Sequence, residues 1–193
     1  YWQILPLGAS AHSSFDSPYQ AYSAFAGNPY MISLDALIEE GVLTREECDA
    51  VDFGADPQRV DYGKMSENRL KLLRKAYERS DISKNPDYQL FVEDNQDWLP
   101  DFALFMALKD QLGGKPWYQW DDGLKFRDII AIRDAQWELR QEIRFFCFVQ
   151  YLFFKQWKEL RAYIHTKGIK VIGDLPIYVA MDSADVWGEP EFF

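Results

Sequence analysis

The chain has 193 residues, 48% of them apolar and 27% charged, a composition that excludes a disordered or fibrous protein. Its 31 acidic residues outnumber its 21 basic residues and give a net charge of −10, so nucleic acid is not an expected partner because phosphate binding needs a concentrated positive surface. Rings are frequent, with 7 Trp, 11 Tyr and 14 Phe making up 17% of the chain, and we expect some of them to face a ligand.

The first predicted element is a short buried strand within residues 1–7, which stops at Gly8. An irregular loop rich in Ser, Gly, Pro and aromatic residues follows over residues 9–30, and a loop of this length in a compact domain is usually functional. Short surface helices are predicted at residues 35–40 and directly after Thr44.

Two longer helices are predicted in the middle of the chain. The first covers about residues 67–79, with Ser66 as its N-cap. The second covers about residues 87–112 and is interrupted near Pro100. Its second half, residues 102–108, is apolar on nearly every face, so it must be buried.

A third long helix is predicted over about residues 126–167. Positions taken at alternating steps of three and four form an apolar stripe in which Gln150 is the polar exception. The longest apolar run, residues 145–154, is about half the length that crosses a membrane. We therefore expect a buried helix and no membrane partner.

The last predicted element is a β-branched strand over residues 169–172, after a helix stop at Gly168. Two buried strands joined by a long crossover that ends in a helix form a βαβ unit. The sequence therefore predicts an α/β fold with two parallel strands.

Asp174 is the first candidate site residue because it follows the second strand. In an α/β barrel, residues at the carboxyl ends of the strands face the active site. The alternative is that the carboxylate of Asp174 caps the turn that follows it, and the spacing does not decide between the two interpretations.

The loop segment Asp16–Gln20 is the second candidate, since it combines a carboxylate, a hydroxyl, a ring and an amide after the first strand. Such a mixture suits sugar recognition: the ring of Tyr19 can stack on a pyranose while the hydroxyl of Ser17 meets its hydroxyl groups. The alternative is an Asx turn, with Pro18 at its corner and Tyr19 packed inward.

Two other motifs are expected to be structural. The rings of residues 117–120, Trp117, Tyr118 and Trp120, are more typical of a small core beneath a loop than of a binding platform. Asp182, Ser183 and Asp185 favour an N-cap and the start of a helix.

The number and spacing of the cysteines, histidines and glycines exclude several types of site. Cys48 and Cys147 form no framework for disulfides or zinc, which favours a reducing, cytoplasmic compartment. His12 and His165 are the two histidines of the chain, too few for a zinc centre or a Ser-His-Asp triad, so no metal site is expected. No phosphate-binding glycine motif is present, which disfavours nucleotide chemistry. The opening residues 1–6 lack the basic segment of a signal peptide.

Five separated blocks resemble the 4-alpha-glucanotransferases called amylomaltase or disproportionating enzyme. They are YWQILPLG, DSPYQAYSAFAGNPYMISLD, RVDYG, DFALFMALK and IKVIGDLPIYVAMDSADVW, in the order of that family and over almost the whole chain. The resemblance implies part of a (β/α)8 TIM barrel containing two neighbouring parallel strands and a large helical insertion at about residues 31–125. Residues 1–193 would then be a fragment of the catalytic barrel domain, which needs the rest of the barrel for completion.

The resemblance also implies the transfer of a 4-alpha-glucan segment between malto-oligosaccharides, with retained anomeric configuration and without a cofactor. Ser17, Tyr19 and Asp174 match sugar-binding positions of the family. Its nucleophile and acid/base are expected beyond Phe193, so the chain would contain no catalytic residue and would be inactive alone. The competing hypothesis is a noncatalytic alpha-glucan-binding module.

Overall fold

The computed structural model describes residues 1–10, 16–56, 58–176 and 178–193. Within these residues, two short strands and nine α-helices are formed, joined by loops and 3-10 turns. In chain order they are β1 Trp2–Gln3, α1 Leu34–Glu39, α2 Arg45–Asp49, α3 Tyr62–Arg79, α4 Pro86–Asp94, α5 Leu99–Gln111, α6 Asp122–Lys125, α7 Ile129–Glu138, α8 Arg140–Thr166, β2 Val171–Ile172 and α9 Ala184–Gly188.

The two strands pair in parallel, as the sequence predicts. Trp2 lies opposite Val171 and Gln3 opposite Ile172, and Ile4 donates its N–H to the carbonyl of Ile172 at 2.9 Å. The prediction that both strands are buried is wrong for this chain. Trp2 is 47% exposed, because among the described residues each strand has one pairing partner and little covering its outer face.

Helix α8 forms the centre of the core. Every residue from Phe145 to Phe153 is buried, which confirms the interpretation of this apolar run as a buried helix segment. The largest helix–helix interface joins α8 to α5, whose residues Phe102–Phe105 are also buried. The predicted stripe along α8 is buried or half-buried except at Leu160, which is exposed near the end of the helix.

The prediction of one continuous helix over residues 126–167 is wrong, since the segment contains two helices. Arg127 has a left-handed backbone (φ 55°), which ends the short helix before it. Asp128 then caps α7, since its carboxylate accepts the N–H groups of Ile130 and Ala131. A second break at Leu139 separates α7 from α8.

The other long helices also begin at different residues from those predicted. Asp61, not Ser66, caps α3 by accepting the Lys64 N–H, and Ser66 lies inside the helix. The break in the predicted helix over residues 87–112 comes before Pro100, which lies in the first turn of α5, where a missing N–H removes no helical hydrogen bond. The helix predicted directly after Thr44 is confirmed as α2, and the side chains of Thr44 and Glu47 cap it reciprocally.

Candidate functional site

Backbone contacts join the two ends of the loop that follows β1, so the tip of this loop lies near the strands. Gly8 and Gly27 form an antiparallel bridge, and Ala9 donates its N–H to the carbonyl of Ala26 at 3.0 Å. Ser10 forms a second bridge with Ala21. The tip of this loop, residues 16–21, carries Ser17 and Tyr19, two of the three predicted sugar-binding residues. Residues 11–15 lie outside the described part of the chain.

The structure brings two of the predicted site residues into direct contact. The Tyr19 hydroxyl donates a hydrogen bond to the Asp174 carboxylate, with an O–O distance of 2.7 Å across 155 positions of sequence. This hydrogen bond raises the pKa of Tyr19 above its ordinary value, because the carboxylate stabilises the protonated phenol. The loop after β1 and the end of β2 therefore meet at one point.

Ser17 shapes the turn beneath Tyr19. Its Oγ accepts the Tyr19 N–H at 3.3 Å, and its carbonyl accepts the Gln20 N–H at 3.0 Å. A turn is therefore present in this loop, and the side chain of Ser17 makes one of its hydrogen bonds. The inward packing expected in the Asx-turn interpretation is absent, since Tyr19 is 39% exposed.

A cleft of about 440 Å³ opens beside Asp174, between the strand ends and helix α8. Its polar lining comes from Asp174 and from two α8 residues, Arg161 and His165, that sequence reasoning did not select. Both lie on the polar side of the helix, and the apolar periodicity that located α8 carries no signal for them. The cleft is lined by Ile4, Leu5, Leu7, Trp157, Arg161, His165, Val171, Gly173 and Asp174.

A second cleft, of about 390 Å³, is lined by Asp16 and Pro18 of the loop tip. Asp16, Asn28, Tyr30 and Tyr62 contribute polar groups and rings to it. Burial is the main reason that the pKa of Tyr30 rises to about 12. Carboxylates, an amide, hydroxyls and rings thus line the two clefts, the group types that can pair with or stack on neutral polar ligands.

Trp117 and Trp120, in the aromatic segment at residues 117–120, have the structural role that the sequence predicts. Trp120 is buried and packs against Phe105 and Trp187, with ring centroids 5.5 and 5.4 Å away. The indole N–H of Trp117 donates to the Met181 carbonyl at 2.7 Å. The ring of Tyr118 is exposed.

Residues 181–187 connect helix α5 to the loop that carries Tyr19, the site loop. Ser183 caps α9 by accepting the Val186 N–H, which confirms the predicted helix start. Asp182 has a different role from the expected cap, since it forms an ion pair with the buried Lys109 at 2.5 Å. Asp185 accepts the Ala24 N–H at 2.7 Å and so holds the site loop against α9.

Within the described ranges, no group of three His, Cys, Asp or Glu side chains is arranged to hold a metal ion. No helix among the described residues is long and apolar enough to cross a membrane.

Known proteins resemble this chain along its whole length. The model of the 4-alpha-glucanotransferase family matches residues 1–193. The 4-alpha-glucanotransferases of Clostridium butyricum and Thermus thermophilus are 43% and 44% identical to it over all of this chain, and it covers 39% and 38% of their lengths. The chain therefore spans about two fifths of the curated relatives it matches.

Solved structures agree with the sequence comparison. Amylomaltase from Streptococcus agalactiae, in complex with acarbose, superposes with a TM-score of 0.92 at 39% identity, over 100% of this chain and 39% of that one. Amylomaltase from Corynebacterium glutamicum superposes with a TM-score of 0.71 at 17% identity, over 97% and 27% of the two chains, and so supports the fold alone. The family match over every residue, together with the shared fold, shows that this chain belongs to the 4-alpha-glucanotransferase family.

Proposed function

We propose that the intact protein is a 4-alpha-glucanotransferase that transfers a 4-alpha-glucan segment between malto-oligosaccharides, and that this chain supplies part of its sugar-binding site. The observation that carries the proposal is the hydrogen bond of Tyr19 to Asp174, which joins the loop after β1 to the end of β2. The relatives of this chain are named for this activity, and the amylomaltase of Streptococcus agalactiae is described with acarbose bound.

The fold that we propose is a segment of a (β/α)8 barrel in which β1 and β2 are neighbouring strands. Their parallel pairing supports this arrangement, as does the exposure of Trp2 and Ile172, which further strands of a barrel would cover. Residues 31–125 would form a helical insertion between β1 and the crossover helix α8. The rest of the barrel is the main partner that this chain requires.

The binding chemistry follows from three side chains. The exposed ring of Tyr19 can stack on the apolar face of a pyranose, and the carboxylate of Asp174 can accept hydrogen bonds from sugar hydroxyls. Ser17 fixes the turn that presents Tyr19, through the Tyr19 N–H. A neutral oligosaccharide suits such a site because recognition rests on hydrogen bonds and stacking rather than on a concentrated positive charge.

The reaction that we propose retains the configuration of the anomeric carbon. One carboxylate would attack the anomeric carbon and hold the glycosyl group covalently, while a second would protonate the leaving oxygen and then deprotonate the acceptor hydroxyl. We place both groups outside residues 1–193, as the family resemblance implies, and give Asp174 a substrate-binding role. The two carboxylates complete the reaction without a metal or cofactor.

Two buried free thiols, Cys48 and Cys147, are compatible with a reducing compartment, and we place the intact protein in the cytoplasm.

Maltotriose tests this proposal. The intact protein should convert it into glucose and longer maltodextrins, and the newly formed linkages should be alpha when their anomeric protons are followed by NMR. The isolated 193-residue chain should release no glucose. Binding of maltotriose by an intact protein that lacks transfer would support the noncatalytic module instead, and turnover by the isolated chain would overturn our placement of the catalytic carboxylates.

A further inference from the structure

Gln150 is a polar side chain in the most apolar part of α8. It is only 1% exposed, and neighbouring positions of the helix carry phenylalanine, valine, tyrosine and leucine. A buried amide costs stability unless its donors and acceptors are paired. The hydrogen-bond partners of Gln150 must therefore offset this cost.

The Gln150 side chain pairs with the backbone of a single residue, Gly27. Its Oε1 accepts the Gly27 N–H at 2.7 Å, and its Nε2 donates to the Gly27 carbonyl at 3.0 Å. The amide thus binds Gly27 as a neighbouring strand would, with one donor and one acceptor. Gly27 is also the residue that bridges to Gly8 at the base of the site loop.

Packing fixes the same point of the loop against α8. A Cβ at Gly27 would lie 2.0 Å from the ring of Phe153, so the backbone lies directly on that ring. A Cβ at Gly8 would lie 2.9 Å from the Cβ of Ala21, which closes the loop base from the other side. Translation of Gly27 along α8 would therefore break both amide hydrogen bonds and the packing of its backbone on Phe153.

We propose that Gln150 is a positioning residue for the sugar-binding site: by holding Gly27 on α8 it sets the place of the loop from which Tyr19 reaches Asp174. This inference rests on the proposed function, since it concerns how that site is held. Gln150 itself lies in the core and needs no contact with the sugar. It acts by fixing the position of Gly27, which in turn sets the position of the Tyr19 hydroxyl.

A second glutamine on the same helix provides a matched control. The side chain of Gln156 pairs with the backbone of Ser33 in the same way, accepting its N–H at 2.7 Å and donating to its carbonyl at 3.3 Å. Ser33 caps α1 and lies outside the loop that carries Tyr19. Loss of the Gln156 pair should therefore leave the site unchanged.

The test is a double-mutant cycle in the intact protein, with maltotriose as substrate and acarbose as binding probe. Tyr19→Phe removes the hydroxyl that contacts Asp174, and in the wild type we expect it to lower kcat/KM about tenfold or more. Gln150→Met keeps the length of the side chain but removes both hydrogen bonds. In this background Tyr19→Phe should lower kcat/KM by less than about threefold. In the Gln156→Met background the full effect of Tyr19→Phe should remain.

The cycle separates positioning from stability, because a residue that only stabilises the core gives independent effects with Tyr19→Phe. Equal effects of Tyr19→Phe in the wild-type and Gln150→Met backgrounds, in both turnover and acarbose affinity, would overturn the inference. If Gln150→Met yields no folded protein, Gln150→Asn, whose amide is one methylene too short to reach Gly27, carries the same cycle with the same expected outcomes. A wild-type protein that neither binds acarbose nor acts on maltotriose would refute the proposed function instead.

Discussion

Tyr19 and Trp120 show how two aromatic residues of one chain differ in role. The Tyr19 hydroxyl donates to the carboxylate of Asp174 beyond the end of β2, and the residue is exposed. The Trp120 indole is packed between two other rings, and its N–H donates to the carbonyl of Lys115 at 3.0 Å. Their sequence neighbourhoods are similarly rich in aromatic residues, so the difference comes from tertiary packing.

Substitution of these two residues should therefore have opposite consequences. Trp120→Ala should cost about 3–5 kcal/mol of unfolding free energy, since it leaves a cavity in the core. Tyr19→Ala should have a small effect on stability but weaken acarbose binding by roughly 1 kcal/mol or more, because it removes the exposed ring. Denaturant unfolding and calorimetric titration of both variants check the pair. Equal losses of affinity would place Tyr19 outside the binding site.

At the scale of elements, the predictable features were those with a local cause. The apolar run of α8 and the start of α2 after Thr44 could be predicted from local sequence alone. The break at Arg127 could not, because a left-handed arginine followed by an aspartate cap leaves the apolar period almost unchanged. Prediction from periodicity therefore located the buried faces of the helices better than their ends.

The contact of Gly27 with α8 predicts a large cost for one added methyl group. Gly27→Ala places a Cβ 2.0 Å from the ring of Phe153, inside a packed core, so we expect a loss of about 1–3 kcal/mol or more of unfolding free energy. Gly63→Ala is the control: it lies in α3, where the nearest atom would be 3.4 Å away, and should stabilise the protein by roughly 0.5–1 kcal/mol. Urea midpoints of the two variants should move in opposite directions, and a shared direction would contradict this packing.

The stability of the contact between α2 and α3 should depend on pH. Arg79 donates two hydrogen bonds of 2.6 Å to Glu47, which lower the pKa of this carboxyl from an ordinary 4.5 to about 2. Because the folded pKa is the lower one, this stabilisation is complete above about pH 4.5 and is lost as the pH falls toward 2.

Glu47→Gln should therefore lower the urea midpoint at pH 7, and the difference from wild type should shrink at pH 3. Glu67→Gln removes an exposed pair with Lys71 on α3 and serves as the control, with a small effect at either pH. A difference between Glu47→Gln and wild type that stays constant from pH 7 to pH 3 would show that the ion pair does not contribute to the pH dependence.

At the scale of the whole molecule, the sequence predicted the parallel strands and the residues at their ends, but not how the ends meet. Two short segments 155 positions apart, each ambiguous alone, converge on one hydrogen bond between Tyr19 and Asp174. Two long-range hydrogen bonds hold this geometry: Gln150 binds the backbone of Gly27, and Asp185 binds that of Ala24. The sequence could not predict them, because they depend on how distant segments pack. The candidate site thus follows from the fold as much as from its residues.

The measurement that tests the central claim most directly is made on Asp174→Asn in the intact protein, with thermal unfolding and maltotriose disproportionation followed on one preparation. The asparagine oxygen can still accept the Tyr19 hydroxyl, so the melting temperature should remain close to that of the wild type. Loss of a charged acceptor for sugar hydroxyls should lower kcat/KM roughly ten- to a hundredfold. A destabilised protein with normal kinetics would show that Asp174 caps a turn and would remove it from the binding site.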